Sequence, residues 1–327
     1  MSNASHPFEI LSPDRVIDAV EDLGFNCDGR VLTLNSYENR VFQVGLDDGD
    51  PIVLKFYRPE RWTEEQILEE HDFSLELANQ ELSVVPPLEI DEATLQFDGD
   101  FHYALFDRRG GYAPELDNPE CLFQLGSVLG QMHMVGSARD YQFRPELSAE
   151  VFGHRSVEWL LANFIPREYQ TSYRNVTSQI LDKIDQLGSP PASLRVHGDC
   201  HVGNILWRDD RAHFVDFDDS RMAPAVQDIW MLLSGDRQQQ QVQLLDVIEG
   251  YQQFMDFDHG ELKWIEPLRT LRMMHHAYWI ASRWSDPAFP KAFSWFAEPR
   301  WLEQHLCDLA SQLALLDQQP LTLGFNG

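Results

Sequence analysis

The sequence predicts an α+β protein of two lobes, in which a small β-rich amino-terminal lobe precedes a larger, mainly helical carboxy-terminal lobe. Short runs of β-branched and aromatic residues dominate the first third of the chain, whereas apolar residues recur at helical spacing from about residue 121. A glycine pair, Gly110-Gly111, lies between these regions. We therefore expect lobes over residues 1–107 and 108–327, with a hinge at residues 106–111.

The amino-terminal lobe is predicted to begin with a helix and a hairpin. Ser12-Pro13-Asp14 is a helix start signal ahead of apolar residues at helical spacing over residues 16–23. Residues 41–44 and 52–57 are β-rich, and Asp47-Asp48-Gly49-Asp50 between them forms a turn signal that tolerates positive φ at the glycine. An antiparallel hairpin is therefore expected here.

A second helix and a further strand complete the predicted lobe. Thr63-Glu64-Glu65-Gln66 resembles a capping box, which opens a helix that runs to about Asn79. Pro86-Pro87 ends this segment, and a strand is expected over residues 101–106. The lobe therefore combines short strands with two helices.

The carboxy-terminal lobe is predicted from apolar residues at helical spacing. We expect helices at residues 121–132, 157–164, 176–187, 225–233, 240–254 and 268–284. A short strand over residues 194–196 and a strand–loop–strand unit around residues 197–216 interrupt this helical half.

Composition indicates a globular, acidic protein. The chain has 25 Lys and Arg against 53 Asp and Glu, a formal net charge of −28, which repels nucleic acid and anionic lipid. Its four cysteines are scattered, form no zinc motif and suit a reducing compartment. No apolar run reaches membrane-spanning length. We therefore expect a cytoplasmic protein with neither nucleic acid nor a membrane as partner. Separately, we expect the protein to be a monomer.

The most informative segment runs from residue 197 to residue 216 and begins His-Gly-Asp-Cys-His-Val-Gly-Asn. A carboxylate such as Asp199, on a loop after a short strand, can accept or orient the proton of an attacking hydroxyl. Asn204 and Asp216 offer one neutral and one charged oxygen, which suit Mg²⁺ bound with nucleotide phosphates. Ordinary turn residues are the alternative interpretation. The spacing favours phosphoryl transfer, in which positioning and charge neutralisation supply most of the catalysis.

Lys55 lies inside the β-rich run of the predicted hairpin, between apolar neighbours. A buried lysine is costly unless it is paired, so we expect it to contact the α- and β-phosphates of a nucleotide. A glutamate of the following helix would hold it there, with Glu70 as the first choice and Glu69 as the second. The alternative is a lysine on the polar face of the hairpin.

Further candidates flank the expected nucleotide site. The polar loop of residues 35–40 precedes the hairpin in the position of a phosphate-covering loop, and Ser36 and Arg40 are its candidate contacts. An ordinary polar turn is the alternative. The hinge backbone near Asp107 and Arg109 is expected to contact adenine.

Asp228 is an acidic residue at the start of an apolar helical segment. One interpretation is that it supports the loop of His197 and Asp199, whose backbone donors would satisfy a buried carboxylate. The other is a simple charge near a helix amino terminus, stabilised by the helix dipole. Both interpretations remain open at the level of sequence.

These residues resemble the protein-kinase-like fold of aminoglycoside phosphotransferases, choline kinases and homoserine kinases, and more closely the bacterial stress response kinase A family (RdoA/YihE-like proteins). The resemblance is carried by Lys55, His-Gly-Asp199-Cys-His-Val-Gly-Asn204 and Asp216-Phe-Asp, and by residues 34–41, 53–62, 66–71, 225–233 and 283–291. It implies a bilobal kinase fold, with Asp199 as proton acceptor, Asn204 and Asp216 as magnesium ligands, and Ser36 at the nucleotide. Asp216-Phe217-Asp218 lacks the third-position glycine of ordinary protein kinases, and no Ala-Pro-Glu segment follows.

The predicted function is that of an ATP- and Mg²⁺-dependent serine/threonine protein kinase of the stress response. Residues 1–107 would bind the nucleotide, residues 108–327 would carry catalysis and acceptor binding, and the partners would be protein substrates with serine or threonine acceptors. One alternative is a small-molecule kinase of the choline or homoserine type, for which Asp218, Asp219 and Asp228 would suit a cationic acceptor. Another is a non-catalytic nucleotide sensor, against which the intact catalytic set argues.

Overall fold

The protein is described here by a computed structural model that covers residues 6–190 and 192–324. The chain divides into two compact units, an amino-terminal unit of Met1–Glu115, Tyr141–Arg144 and Asp199–Ser220, and a carboxy-terminal unit of Leu116–Asp140, Pro145–Gly198 and Arg221–Gly327. The functional division after residue 107 stays a prediction. The extreme ends of the two predicted lobes lie outside the described residues.

The strands are short, and most belong to the amino-terminal unit. Their bounds are β1 (Cys27–Thr33), β2 (Arg40–Leu46), β3 (Ile52–Phe56), β4 (Gln96–Phe97), β5 (His102–Asp107), β6 (Leu194–Val196), β7 (Ile205–Arg208), β8 (Arg211–Phe214) and β9 (Arg221–Ala223). The strands of the described residues pair in antiparallel fashion: one five-stranded sheet has the order β1-β2-β3-β5-β4, and β6 pairs with β9 and β7 with β8.

The helices dominate the carboxy-terminal unit, so the predicted α+β class is confirmed. Their bounds are α1 (Pro13–Glu21), α2 (Glu64–Asn79), α3 (Pro119–Gly136), α4 (Ser156–Asn163), α5 (Arg167–Gln186), α6 (Val226–Trp230), α7 (Arg237–Tyr251), α8 (Ile265–Ser282), α9 (Ala288–Ala292) and α10 (Pro299–Leu315). A π-helical turn at Glu150–Arg155 leads into α4, and short 3₁₀ turns follow Asp199 and Asp216.

The predicted hairpin is confirmed and forms the centre of the five-stranded sheet. Strands β2 and β3 pair so that Val41 lies opposite Lys55, which in turn lies opposite Ala104 of β5. The connecting turn contains Gly49 at a φ of 105°, a conformation that favours glycine. Leu54 and Phe56 of β3 are fully buried in the core beneath the sheet. Lys55 is therefore held on a rigid central strand.

Helix α2 begins with the predicted capping box. The Thr63 hydroxyl accepts the backbone N–H of Gln66, and the Gln66 side-chain oxygen accepts the backbone N–H of Thr63. The helix buries Ile67, Phe73 and Leu77, the apolar residues at helical spacing. Glu70 lies on the same buried face, so its carboxyl group is kept from water.

The glycines of α3 and α7 let these two helices of the carboxy-terminal unit pack closely. A Cβ at Gly126 would lie 1.9 Å from the Val247 carbonyl oxygen, and one at Gly130 would lie 2.4 Å from that of Tyr251. Any side chain at these positions would therefore push the helices apart. The close approach brings His133 of α3 into contact with Tyr251 of α7.

The elements that the sequence did not predict are those with weak apolar patterns. Strand β1 is an edge strand with a largely exposed or half-buried surface, and β4 has only two residues. Helix α10 places His305 and Gln312 on its buried stripe beside Leu302 and Leu309, so polar residues break its apolar period. Helix α5 begins at Arg167, nine residues before the predicted start at Val176, because its first half is mostly polar.

Candidate active site

A cavity of about 240 Å³ in the amino-terminal unit, here called the motif cavity, gathers most of the candidate residues. Its apolar lining includes Leu34, Val41, Val53, Val85, Phe106, Leu206, Val215 and Phe217. Its polar lining includes Asn35, Ser36, Lys55, Glu70, Asp107, Arg109, Asn204 and Asp216. Apolar walls with a few convergent polar groups are typical of a site for a small molecule.

Lys55 projects from β3, one residue before its end, into the motif cavity. Its Nζ lies 2.9 Å from Oδ1 of Asp216 and 3.2 Å from Oδ1 of Asp218, and its side chain is only 7% exposed. Burial by itself would lower the pKa of Lys55, but the carboxylates of Asp216 and Asp218 outweigh it and hold the pKa well above its ordinary value. The lysine is therefore buried, charged and paired, and not an exposed residue of the hairpin.

Glu70 lines the motif cavity as predicted, but the direct ion pair proposed between it and Lys55 is not formed. Among the described residues, the ion-pair partners of Lys55 are Asp216 and Asp218, whereas the Glu70 carboxylate lies 3.8 Å from Nη2 of Arg144. Burial raises the pKa of Glu70 to about 7, although Lys55 and Arg144 oppose the rise. Glu70 thus faces an arginine that sequence reasoning did not identify.

Glu69, the second choice, has a different structural role. Its carboxylate accepts the backbone N–H groups of Gln142, Phe143 and Arg144 at 2.6, 2.9 and 2.8 Å. This ties the short segment that carries Arg144 to α2. The Arg144 guanidinium in turn donates to the backbone oxygens of Asp218 and Ser220, at 2.8 and 2.9 Å.

The Asp216-Phe217-Asp218 turn is fixed by buried charges. Asp216 has a φ of 62°, a left-handed conformation that is costly for a residue other than glycine and that recurs at functional sites. Asp218 is buried between Lys55 and Arg61, and the same Arg61 also pairs with Asp219 at 2.9 Å. The third position, where ordinary protein kinases have glycine, therefore holds a carboxylate that is built into the site.

Asp199 lies on the loop after β6, but it is not among the residues that line the motif cavity. The Nδ2 atom of Asn204 donates to the backbone oxygen of Asp199 at 3.0 Å, and Nε2 of His201 lies 3.4 Å from Oδ2. The Asp199 side chain is 20% exposed. The loop thus keeps a carboxylate partly accessible and ties it to Asn204.

Asp228 holds the backbone immediately before Asp199. Its carboxylate is fully buried and accepts the N–H groups of His197 and Gly198, each at 2.8 Å. Gly198 has a φ of 83°, which explains glycine at this position. Of the two interpretations of Asp228, support of the loop is therefore the one that the contacts favour.

Two residues that sequence reasoning missed extend this support. The Nε2 atom of His133 lies 3.1 Å from Oδ2 of Asp228, and its Nδ1 lies 3.1 Å from the Tyr251 hydroxyl. Both side chains are fully buried within the carboxy-terminal unit. A histidine on the apolar face of a helix, as in α3, was the only local signal for such a contact.

The loop before β2 reaches the motif cavity through Asn35 and Ser36, but not through Arg40. The Arg40 guanidinium donates to the backbone oxygens of Tyr37 and Asn39, and it lies 4.4 Å from the ring centroid of Phe8. Arg40 therefore folds back on its own loop, and the structure does not bring it to the predicted site. Arg58 also holds this loop, by a hydrogen bond to the Glu38 backbone oxygen at 2.9 Å.

Asn204 and Asp216 are the cavity residues best suited to a divalent cation. Because Nδ2 of Asn204 donates to Asp199, the amide oxygen remains as an acceptor, and the Asp216 side chain is 49% exposed. Residues 6–190 and 192–324 contain no group of three His, Cys, Asp or Glu that could hold a metal. Two hard oxygen donors suit a cation such as Mg²⁺, which takes its other ligands from water and phosphate.

The matching family and the relatives of this chain agree with each other, since all are phosphotransferases or kinases by name. The phosphotransferase enzyme family matches residues 31–265. Stress response kinase A of Escherichia coli (strain K12) is 40% identical over 333 residues, which cover 99% of this chain and 99% of the relative. Serine/threonine protein kinase RdoA of Salmonella typhimurium is 40% identical over 326 residues, again 99% of both chains.

Solved structures share the fold at lower identity. Amicoumacin kinase hAmiN, in complex with AMP-PNP, Ca²⁺ and Ami, has a TM-score of 0.71 and 20% identity, and the match covers 94% of this chain and 95% of that one. A microcompartment-associated aminopropanol kinase has a TM-score of 0.68 and 17% identity, with 92% and 96% covered. These similarities confirm the predicted bilobal fold. Within the described part of the chain, none of the helices is both long and apolar enough to cross a membrane.

Proposed function

This chain belongs to the phosphotransferase enzyme family, in the branch of the stress response kinases A, and we propose that it transfers the γ-phosphoryl group of ATP to serine or threonine hydroxyls of proteins. The family resemblance found in the sequence is thereby confirmed, and with it kinase activity. The observation that carries the proposal is the Lys55–Asp216 ion pair in the motif cavity, with Asn204 beside it and tied to Asp199.

The nucleotide is proposed to occupy the motif cavity. Its adenine would contact the apolar lining and the hinge backbone near Asp107 and Arg109, and Ser36 and Lys55 would contact phosphates. Amicoumacin kinase, with the same fold, was solved with AMP-PNP and Ca²⁺. Asn204 and Asp216 would hold Mg²⁺, which neutralises phosphate charge when bound.

Asp199 is proposed as the residue that orients the acceptor hydroxyl and takes its proton. The bond between the γ-phosphorus and the bridging oxygen of ATP breaks as the hydroxyl oxygen bonds to phosphorus, which gives ADP, a phosphoprotein and one proton. The backbone of His197 and Gly198, held by Asp228, would fix the position of Asp199. The Lys55 ammonium would neutralise charge on the phosphates that stay with ADP.

The protein acceptor is proposed from the relatives, one of which is named a serine/threonine protein kinase. By the same similarity we place the chain in a bacterial stress response, and we propose that it acts in the cytoplasm as a monomer. The solved structures include kinases of small molecules, so the acceptor is the part of the proposal that most needs an experiment.

The test is a transfer assay with γ-³²P-labelled ATP and two acceptor sets, a protein extract from cells lacking this kinase and a panel of amino alcohols. We expect label on serine and threonine of proteins, and at least about 100-fold less label when Asp199→Asn replaces the wild-type enzyme. Label on small alcohols alone would identify a small-molecule kinase. Nucleotide binding without transfer to any acceptor would identify a nucleotide sensor and overturn the proposal.

A further inference from the structure

A second cavity of the amino-terminal unit, with a volume of about 650 Å³, is lined mainly by basic side chains, and we call it the basic cavity. Its charged and titratable lining comprises Arg108, Arg109, Arg208, Arg211 and His213, with Asp50 and Asp209. The chain as a whole carries 53 acidic residues against 25 Lys and Arg. The local charge is therefore opposite in sign to that of the protein.

The β7–β8 hairpin places two of these arginines directly opposite each other. Arg208 and Arg211 are Cα partners, on either side of a turn in which Asp209 and Asp210 have φ values of 52° and 56°. Like charges at directly opposed positions destabilise a strand pair. Arg208 has an ion pair with Asp209 at 3.4 Å, but the Asp209 side chain is 87% exposed, so solvent screens this contact.

The segment of residues 106–111, which the sequence predicted as a hinge, adds Arg108 and Arg109 to the same space. A Cβ built on Gly110 would lie 3.4 Å from Nη1 of Arg108 and 3.6 Å from Nη1 of Arg208, so these guanidinium groups approach the same point. The pKa of His213 is lowered, first by burial and then by Arg109, Arg211 and Arg208. Cations of the hinge and of the hairpin therefore converge without an equal number of carboxylates.

We infer that the basic cavity binds a small anion that carries two or more adjacent phosphates. A guanidinium group can donate two parallel hydrogen bonds to phosphate oxygens, so the four arginines of the basic cavity can be divided between adjacent phosphates. The strongly acidic protein repels long polyanions such as nucleic acid, which favours a small ligand that fits the concave site. Arg109 also lines the motif cavity, so the two sites adjoin.

The inference is tested by calorimetric titration of the whole chain with inorganic triphosphate, after AMP-PNP has filled the motif cavity. We expect a single triphosphate site that R208A/R211A weakens at least tenfold. The control R155A/R300A removes the same charge from exposed positions outside the cavity and should leave the affinity within twofold. A parallel titration with GTP shows whether the ligand is a nucleotide or a free polyphosphate. Tighter binding of GTP than of triphosphate would indicate a nucleotide, and equal affinity would indicate that only the phosphates are recognised.

Three results of the triphosphate titration would overturn the inference: no binding to the wild type, an equal loss of affinity in both double variants, or wild-type affinity in R208A/R211A. Binding of a single-stranded DNA oligonucleotide but not of triphosphate would also overturn it. The unfolding midpoint of R155A/R300A should match that of the wild type, because both side chains are exposed. The midpoint of R208A/R211A should be no lower than that of the wild type, because two opposed like charges are removed from exposed positions. The titration is repeated without AMP-PNP, so failure of the proposed kinase function leaves this test intact.

Discussion

The ammonium nitrogen of Lys55 lies 2.9 Å from Oδ1 of Asp216, and the two side chains differ in exposure, at 7% and 49%. A buried cation is thus held against an anion that remains open to the motif cavity. The carboxylate can therefore meet a second cation while the lysine stays fixed by Asp218. This relationship is the electrostatic centre of the proposed nucleotide site.

Replacement of Lys55 by methionine should destabilise the protein and abolish nucleotide binding. The change leaves the buried carboxylate of Asp218 with Arg61 as its remaining ion-pair partner, and breaking a buried pair costs about 3 kcal/mol. Urea unfolding measures the loss, and AMP-PNP titration measures the binding. Lys183→Met, which removes a lysine paired at the surface with Asp317, should cost less than about 1 kcal/mol. Equal stability of the two variants would contradict the buried pair.

Glu70 should make the stability of the protein depend on pH near neutrality. Because burial raises its pKa from 4.5 to about 7, the folded protein keeps a proton that the unfolded chain has lost between these values. The contribution to stability is complete below about pH 4.5 and disappears as the pH rises through about 7, a change on the order of 3 kcal/mol. Glu70→Gln should flatten this decline between about pH 4.5 and 7.

The control for this measurement is Glu249→Gln, at an exposed position of α7. Its unfolding free energy should keep the wild-type slope with pH. If Glu70→Gln also keeps that slope, then Glu70 is ionised in the folded protein at neutral pH and its environment has been misjudged.

Asp228 should affect turnover more than nucleotide affinity. Asp228→Ala leaves the buried N–H groups of His197 and Gly198 without their acceptor, and we expect a loss of about 3 kcal/mol in stability. In the fraction that remains folded, kcat should fall while the Kd for AMP-PNP stays within a few-fold. Asp308→Ala, at an exposed position of α10, should change neither quantity. Loss of AMP-PNP affinity without loss of kcat would contradict a role in positioning Asp199.

The secondary-structure elements of the site that are signalled by residues close together in sequence were predicted correctly. The hairpin that carries Lys55 follows from alternating β-rich runs around a glycine turn, and the start of α2 follows from a capping box. Both signals are local, so one sequence is enough to find them. The burial of Lys55 also followed, since apolar neighbours surround it on β3.

The parts that depend on long-range side-chain contacts were not predictable from local patterns. Arg144 lies far from Glu70 in sequence, and nothing near it indicates that it would lie closer to that carboxylate than Lys55 does. Arg61 similarly meets Asp218 only after folding. Arg40 was assigned by its charge and its position in the loop, but backbone oxygens and the Phe8 ring occupy its side chain instead.

The most direct test of the central claim is single-turnover transfer by Asp199→Asn, measured with saturating ATP and Mg²⁺ and a protein acceptor identified in the transfer assay. Asparagine keeps the shape of the side chain but cannot accept the proton, so the rate should fall by about 10²- to 10⁴-fold. Affinity for AMP-PNP should remain near that of the wild type, because Asp199 does not line the motif cavity. A rate within threefold of the wild type would remove Asp199 from the mechanism and contradict this account of the site.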